Sequence, residues 1–432
     1  MIEELYKLYL RSRTVTTDSR RITPGCLFFA FKGETFDGNT FAPQALEQGA
    51  AACIVSDARY RVDDRCFVTD DVLATLQALA RMHRSHLTIP VIGITGTNGK
   101  TTTKELVHAV LSRRYRTSAT AGNLNNHLGV PLTLLGIPAD AEIAIVEMGA
   151  NHPGEIAALC DIAQPDYGLV TNIGRAHLEG FGGFEGVVRT KTELYRHLDS
   201  LGGTLFVNAD DQLLTAEAAK LTHLRQTIGY GDSNDADCKG HLRDAAPYLA
   251  LYIESGDNVY SIQTQLIGGY NLPNALAAAA VGQHFKVDMF DIKEALEQYQ
   301  PSNNRSQYKK TGRNELLLDC YNANPSSMKV AVESFKNMKA DHKIAIIGGM
   351  HELGAAEREE HRKLVEALDG CGLERCLLVG HEFEGLALPH SMTLFSDTDA
   401  VRDYLRAHTI EGATVLVKGS NTNRLWTLEE LL

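Results

Sequence analysis

The stretch GITGTNGKTTTKE, residues 93–105, constrains the fold more than any other. Gly96, Gly99 and Lys100 crowd one turn, and Thr101, Thr102 and Thr103 follow the lysine directly. Before it, Ile89-Pro90-Val91-Ile92 reads as the end of a linker and then a buried strand. After it, Lys104 to Leu111 has the apolar spacing of a helix. Strand, glycine turn, helix is the setting of a phosphate-cradling loop. Glycines let backbone N–H groups converge on an anion without Cβ clashes. The helix N-terminus adds partial positive charge. Gly96, Thr97, Asn98, Gly99, Lys100, Thr101 and Thr102 are therefore candidate nucleotide-phosphate residues, with Lys100 reaching the outer phosphates and the Thr101 hydroxyl on Mg²⁺. The loop is a variant. The pattern G-x-x-x-x-G-K-[ST] puts its first glycine where this chain has Ile94.

A chain of 432 residues suggests two to four domains. No apolar run approaches the ~20 residues of a membrane span, and the start, MIEELYKLYLRSR, lacks the apolar core of a signal peptide. The eight cysteines include no C-x-x-C, which fits reduced thiols in a cytoplasmic protein. A net charge of −12 argues against nucleic acid or an anionic membrane as the main partner. It leaves a phosphate ligand open, because local donors decide that.

Three blocks organise the chain. Residues 1–88 hold short strands (Cys26 to Phe31, Ala52 to Val55, Cys66 to Val68) and a helix over Asp71 to His86. Residues 89–301 open with the phosphate loop and carry strand-like runs at 143–148, 167–173 and 204–210 between helical stretches. Such alternation predicts a parallel sheet covered on both faces. Residues 231–265 read as an antiparallel addition, followed by a helix near Asn271 and Pro273. Residues 302–432 have strands at 315–320, 343–349, 375–380 and 413–420, a second open α/β sheet without G-x-G-x-x-G. The expected class is α/β in three domains: a small N-terminal α/β unit, a central phosphate-loop ATPase-like unit with a parallel sheet, and a C-terminal Rossmann-like unit.

Several constellations flank the loop. Glu147 ends a strand where an acid reaches the Mg²⁺ of a phosphate loop. His177 is a metal ligand or a satisfied polar group, and Lys191 alone reads as a solvated helix lysine. Asp18, Ser19, Arg20, Lys32, Asp37 and Gly38 lie around one strand pair, as a diphosphate or sugar site or as a polar hairpin rim. DCYNANPSSM, 319–328, offers hydrogen-bonding groups that also suit a turn.

Taken in order, TDSR (17–20), KGETFDG (32–38), the phosphate loop, GNLNNHLGVP (122–131), EMGANHPGEI (147–156), AHLEGFG (176–182), KTELY (191–195), NLPNALAAAA (271–280), DCYNANP (319–325) and LVKGSN (416–421) resemble the Mur ligase family, over nearly the whole chain. KGETFDG, EMGANHPGEI, HLEGFG and YNANP resemble the branch that adds D-alanyl-D-alanine, and the D-N-P-R motif of the diaminopimelate-adding branch is missing. The resemblance implies ATP-dependent amide ligation through an acyl phosphate, on UDP-N-acetylmuramoyl-tripeptide, in a cytoplasmic monomer. It implies that Thr101, Glu147, His177 and Lys191 hold Mg²⁺, two ions in all, with Lys191 as its carbamate. Asn271 falls at adenine, Arg305 near the γ-phosphate and Asp319 at the ribose. Asp18, Ser19, Arg20, Lys32, Phe36, Asp37 and Gly38 fall in the uridine-nucleotide unit. Asn123, Asn125 and Asn126 face the nucleotide–peptide, and Asn322 and Asn324 the dipeptide. The last domain is expected to close about a hinge at Pro301-Ser302-Asn303-Asn304. Two positions depart from the family pattern: LVKGS is often followed by arginine but here by Asn421, and His351 stands for a usually apolar residue in GGMHELG. The alternatives are a paralogue that adds diaminopimelate or lysine, a folylpolyglutamate-type ligase, or a non-catalytic nucleotide switch.

Overall fold

The computed structural model describes residues 1–301 and 305–432, arranged on three sheets. The expected hinge residues Ser302, Asn303 and Asn304 lie outside the described residues.

The first sheet runs Val15–Thr16, Leu27–Phe29, Ala52–Val55, Cys66–Val68, all parallel. The strand pair expected over 15–41 forms, but it is no hairpin. The chain between its strands makes a helical turn at Ser19–Arg21, capped by the Asp18 carboxylate, and so returns in the same direction. The helix Val72–His86 starts at the cap Asp71, whose side chain accepts the Ala74 N–H. Its buried residues Val72, Leu76, Leu79 and Ala80 share one core with Leu5, Tyr9, Leu134 and Val146, so the first unit is packed onto the second. Arg84, 7% exposed, continues that joint by donating to the carbonyls of Ala163 (2.8 Å) and Gln164 (2.7 Å) and to Asp166 (3.0 Å).

The central sheet has nine strands. Val91–Thr95, Ile143–Glu147 and Thr204–Asn208 are buried along their length, as a parallel sheet with helices on both faces requires. Val91–Thr95 lies between Ile143–Glu147 and Tyr167–Val170. From Val91–Thr95 the chain goes out to Thr117–Ala119 and back to Ile143–Glu147 on one side, then crosses to Tyr167–Val170 on the other, which opens a ligand crevice at the strands' C-terminal ends. The expected antiparallel addition is Cys238–Asp244, Tyr248–Ser255 and Asn258–Ile267. It extends the central sheet, because Cys238 pairs with Tyr230 of the parallel strand Gln226–Gly231. The helix after the loop is Lys100–Leu111, and the alanine-rich helix Leu272–His284 lies against it. Small side chains permit that approach: a Cβ on Gly282 would sit 2.5 Å from Val110 and 3.0 Å from Ile292.

The third sheet has six strands, ordered Gln307–Lys310, Glu315–Asp319, Thr414–Lys418, Lys343–Gly348, Arg375–Val379, Met392–Phe395. Only the first pair is antiparallel. All eight cysteines are free and buried. Among the described residues no helix is long and apolar enough to cross a membrane.

Candidate active site

A cavity of about 890 Å³ opens at the C-terminal ends of the central strands, and residues of all three blocks line it. The phosphate loop forms its floor. Gly96 and Gly99 have φ of +141° and +78°, and a Cβ on Gly99 would lie 2.7 Å from Asn274 Oδ1, so side chains are excluded. The departure at Ile94 has a structural reason: Ile94 is a fully buried strand residue, and the turn begins only at Gly96. Asn172 clamps the loop, accepting the Asn98 N–H (3.0 Å) and donating Nδ2–H to the Asn98 carbonyl (2.9 Å). Lys100 Nζ donates to the carbonyls of Gly96 (2.8 Å) and Thr97 (2.9 Å). Desolvation pulls its pKa down to about 8, against the opposing pull of Glu147. The helix begins at Lys100, so Thr101 and Thr102 lie in its first turn.

Glu147 is 1% exposed at the end of its strand. Its Oε1 accepts from Thr101 Oγ1 (3.2 Å) and Asn125 Nδ2 (2.7 Å). Its Oε2 is buried with no hydrogen-bond partner among the described residues. A buried carboxylate oxygen left without a donor suits a cation. Lys191 is 2% exposed, with Nζ 3.3 Å from the Ala150 carbonyl. It is thus no solvated helix lysine. Burial, aided by the nearby Lys100 charge, holds its pKa well below the ordinary lysine value. The neutral amine is the form that attacks CO₂. His177 points Nδ1 at the Glu352 carboxylate of the third unit, an arrangement that orients an imidazole. Burial lowers its pKa, with Glu352 opposing. Among the described residues no three His, Cys, Asp or Glu side chains converge as a metal cage. A Mg²⁺ held by one carboxylate, a threonine hydroxyl and substrate phosphates needs none.

The opposite wall carries Asn271, Arg305, Asp319 and Asn322. Asn271, 2% exposed, donates Nδ2–H to the Ile267 carbonyl (2.9 Å) and accepts from Asn274 Nδ2 (2.8 Å), instead of capping its helix. The Arg305 guanidinium lies 3.4 Å over the Tyr321 ring, with Nε buried and unpartnered among the described residues. Asp319 pairs with the buried Lys418. Asn324 does not line this cavity. Its Nδ2 donates to Asn98 Oδ1 (2.8 Å), and Ser326 Oγ accepts the Arg175 N–H (2.8 Å), so the third unit touches the phosphate loop directly. Asn322 and Asn324 both line a second cavity of about 480 Å³, with His177 at the junction of the two.

Asn125 and Asn126 line the first cavity, but Asn123 does not. Asp18, Ser19, Arg20, Lys32, Phe36, Asp37 and Gly38 line neither cavity. They form their own surface: Arg20 donates twice to Asp18 (2.9 Å each) and holds that carboxyl at a pKa of about 2, Lys32 and Asp37 pair through their backbones as an isolated antiparallel bridge, and Phe36 is 58% exposed. Gln77 and Arg81 of the helix Val72–His86 link this unit to the cavity wall. Sequence reasoning missed them, because on an amphipathic helix they read as solvated. It also missed Asn172, Asn274 and Lys418, the last two inside motifs already noted.

Three segments match family descriptions: the Mur ligase family catalytic domain over residues 12–84, the Mur ligase middle domain over 94–282, and the Mur ligase glutamate ligase domain over 304–421. The UDP-N-acetylmuramoyl-tripeptide--D-alanyl-D-alanine ligase of Bacillus subtilis is 34% identical over 370 residues, 85% of this chain and 79% of the relative. The protein of that name from Escherichia coli is 34% identical over 417 residues, 94% of this chain and 91% of its own. Among solved structures, MurF from Acinetobacter baumannii superposes with a TM-score of 0.86 at 30% identity, over 96% of this chain and 92% of that one. MurF ligase from Thermotoga maritima in complex with ADP gives 0.85 at 29% identity, over 98% and 97%.

Proposed function

The chain belongs to the Mur ligase family, and from that premise we propose that it joins D-alanyl-D-alanine to UDP-N-acetylmuramoyl-tripeptide at the expense of ATP, yielding a peptidoglycan precursor. One observation carries the reading: the phosphate loop, the open oxygen of Glu147 and the desolvated amine of Lys191 face one cavity, and a second cavity joins it at His177.

The chemistry follows from the arrangement. A carboxylate is a poor electrophile. The peptide carboxylate attacks the γ-phosphorus of ATP, ADP leaves, and the resulting acyl phosphate is open to the dipeptide amine, which expels phosphate. When triphosphate binds, Lys100 exchanges the Gly96 and Thr97 carbonyls for phosphate oxygens. Arg305 adds positive charge, and Asn271 and Asp319 take the adenine and ribose ends. Thr101, Glu147, His177 and Lys191 as its carbamate would hold Mg²⁺, which neutralises charge on the phosphate being transferred. The contacts Asn324–Asn98 and Ser326–Arg175 hold the third unit against the phosphate loop, the approach needed to keep water from hydrolysing the acyl phosphate. Residues 1–88 would hold the uridine nucleotide through Asp18, Ser19, Arg20, Lys32, Phe36, Asp37 and Gly38, residues 89–301 ATP, and residues 302–432 the dipeptide beside Asn322 and Asn324. Asn123, Asn125 and Asn126 would face the peptide, in a monomeric cytoplasmic enzyme.

The test is phosphate release from ATP with the UDP-tripeptide, with and without D-alanyl-D-alanine. Dependence on both supports the proposal. Release driven by diaminopimelate, lysine or glutamate as the amine would move the chain to a paralogous activity, and no release with any amine would leave a nucleotide switch.

A further inference from the structure

Arg305 and Tyr321 stand at the open end of one hairpin. Gln307–Lys310 and Glu315–Asp319 pair antiparallel with Gln307 opposite Leu318, so the residues entering the first strand lie beside those leaving the second. The Arg305 guanidinium carbon is 3.4 Å from the centre of the Tyr321 ring. That separation is the contact of the guanidinium's flat face, and its N–H donors, which lie in its plane, stay off the ring. Asp319, the cavity acid of this hairpin, does not compete for Arg305: it is paired with Lys418 and accepts the Ser306 N–H (3.4 Å). The ring leaves the chain from a fixed point, because Cys320 before it is fully buried and its Sγ–H donates to the Val417 carbonyl (3.2 Å).

Arg305 and Lys100 line the same cavity. Their charges act on each other: burial lowers the Lys100 pKa, Glu147 opposes, and the Arg305 charge lowers it further. Two cations facing one space repel, so each needs an anchor until an anion arrives. Lys100 has the carbonyls of Gly96 and Thr97. Arg305 has the negative face of the ring.

Resting on the reading of Arg305 as a cation for the γ-phosphate, we propose that Tyr321 is its positioning residue: the ring face carries the guanidinium at the first cavity before ATP binds, with the N–H donors free for the terminal phosphate. A guanidinium held in place meets that phosphate without being ordered anew. Tyr321 also lines the second cavity, so the test must separate this role from that of a plain wall for the dipeptide.

The experiment replaces Tyr321 in the full chain by phenylalanine and by phenylalanines of rising ring fluorination. It measures the affinities of ADP and of a non-hydrolysable ATP analogue, both with Mg²⁺ and without dipeptide. Fluorine keeps the ring's shape and drains negative charge from its face. Y321F keeps the platform and should bind both nucleotides as wild type does. Each step of fluorination should then weaken the ATP analogue, by roughly 3- to 30-fold at the end of the series, and leave ADP unmoved. In an R305M background the series should be flat. ADP and the analogue weakening together, a flat series with Arg305 present, or a slope that survives in R305M would overturn the proposal. R305M alone should already lose affinity for the analogue but not for ADP. If it binds both as wild type does, the placing of Arg305 at the γ-phosphate is wrong, and the proposal falls with it.

Discussion

Glu147→Gln separates the metal reading of this residue from a structural one. Glutamine keeps the oxygen that accepts from Thr101 and Asn125, at 3.2 and 2.7 Å, and replaces the unpartnered Oε2 by an amide NH₂ of nearly the same shape. One buried unpaired polar atom replaces another, at a cost of about 1–3 kcal/mol in both proteins. The variant no longer buries a charge, which favours it. It also loses the attraction to Lys100, which opposes that gain and drives the Lys100 pKa further below about 8. These terms oppose one another, so metal-free stability should stay within about 1 kcal/mol of wild type, a shift of roughly 2 °C or less in Tm. Activity should not survive: losing one preorganised electrostatic partner of the transferring phosphate costs roughly 10²–10³-fold. The assays are phosphate release at saturating substrates and thermal melting with and without Mg²⁺ and ADP. Wild type should gain stability from Mg²⁺ with ADP, and the variant should lose the Mg²⁺-dependent part. Activity within tenfold of wild type, or a metal-free variant that melts several degrees lower, would refute the assignment and make Glu147 a structural acid.

Three further outcomes follow from the same geometry. Lys100→Met should be more stable than wild type at pH 7, because the folded protein bears the cost of desolvating an ammonium at every pH below about 8; wild-type stability then rises between about 8 and the ordinary lysine value of 10.5, so the advantage fades in melts taken up to pH 10. The depressed pKa of Lys191 keeps neutral amine available at neutral pH, so isotopically labelled CO₂ should give a carbamate signal that Lys191→Ala abolishes, and activity should fall in CO₂-free buffer; a signal that persists in the variant would discard this. Gly282→Val should cost about 1–3 kcal/mol by overpacking the junction with Val110 and Ile292, lowering Tm without changing the nucleotide dependence of the remaining activity.

The parts of this protein legible in its sequence are those whose physics is local. The phosphate loop announces itself because two glycines, a lysine and a threonine must be neighbours in the chain to surround one anion. The buried strands announce themselves as continuous apolar runs, and helix starts such as Asp71 by their caps. Apolar spacing marks the helix from Lys104 on, because the polar Thr101, Thr102 and Thr103 carry no such spacing. The loop geometry starts the helix at Lys100. What the sequence could not carry is what folding brings together from distant segments. Glu352 reaches His177 across two units, and Asn324 reaches Asn98. Gln77 and Arg81 are cavity residues only because the first unit packs against the second along Leu76, Tyr9 and Val146. Asp18 and Phe36 lie on a surface apart from both cavities, a placement that their motifs alone do not show.

The central claim is that the first cavity activates a carboxylate by phosphorylation and the second presents the amine to it. The most direct measurement supplies UDP-N-acetylmuramoyl-tripeptide with heavy oxygen in its terminal carboxylate, together with ATP and D-alanyl-D-alanine, and follows the label by mass. The account predicts one labelled oxygen in the released phosphate for each pentapeptide nucleotide formed. Ligation with all the label retained in the peptide or lost to water would contradict it.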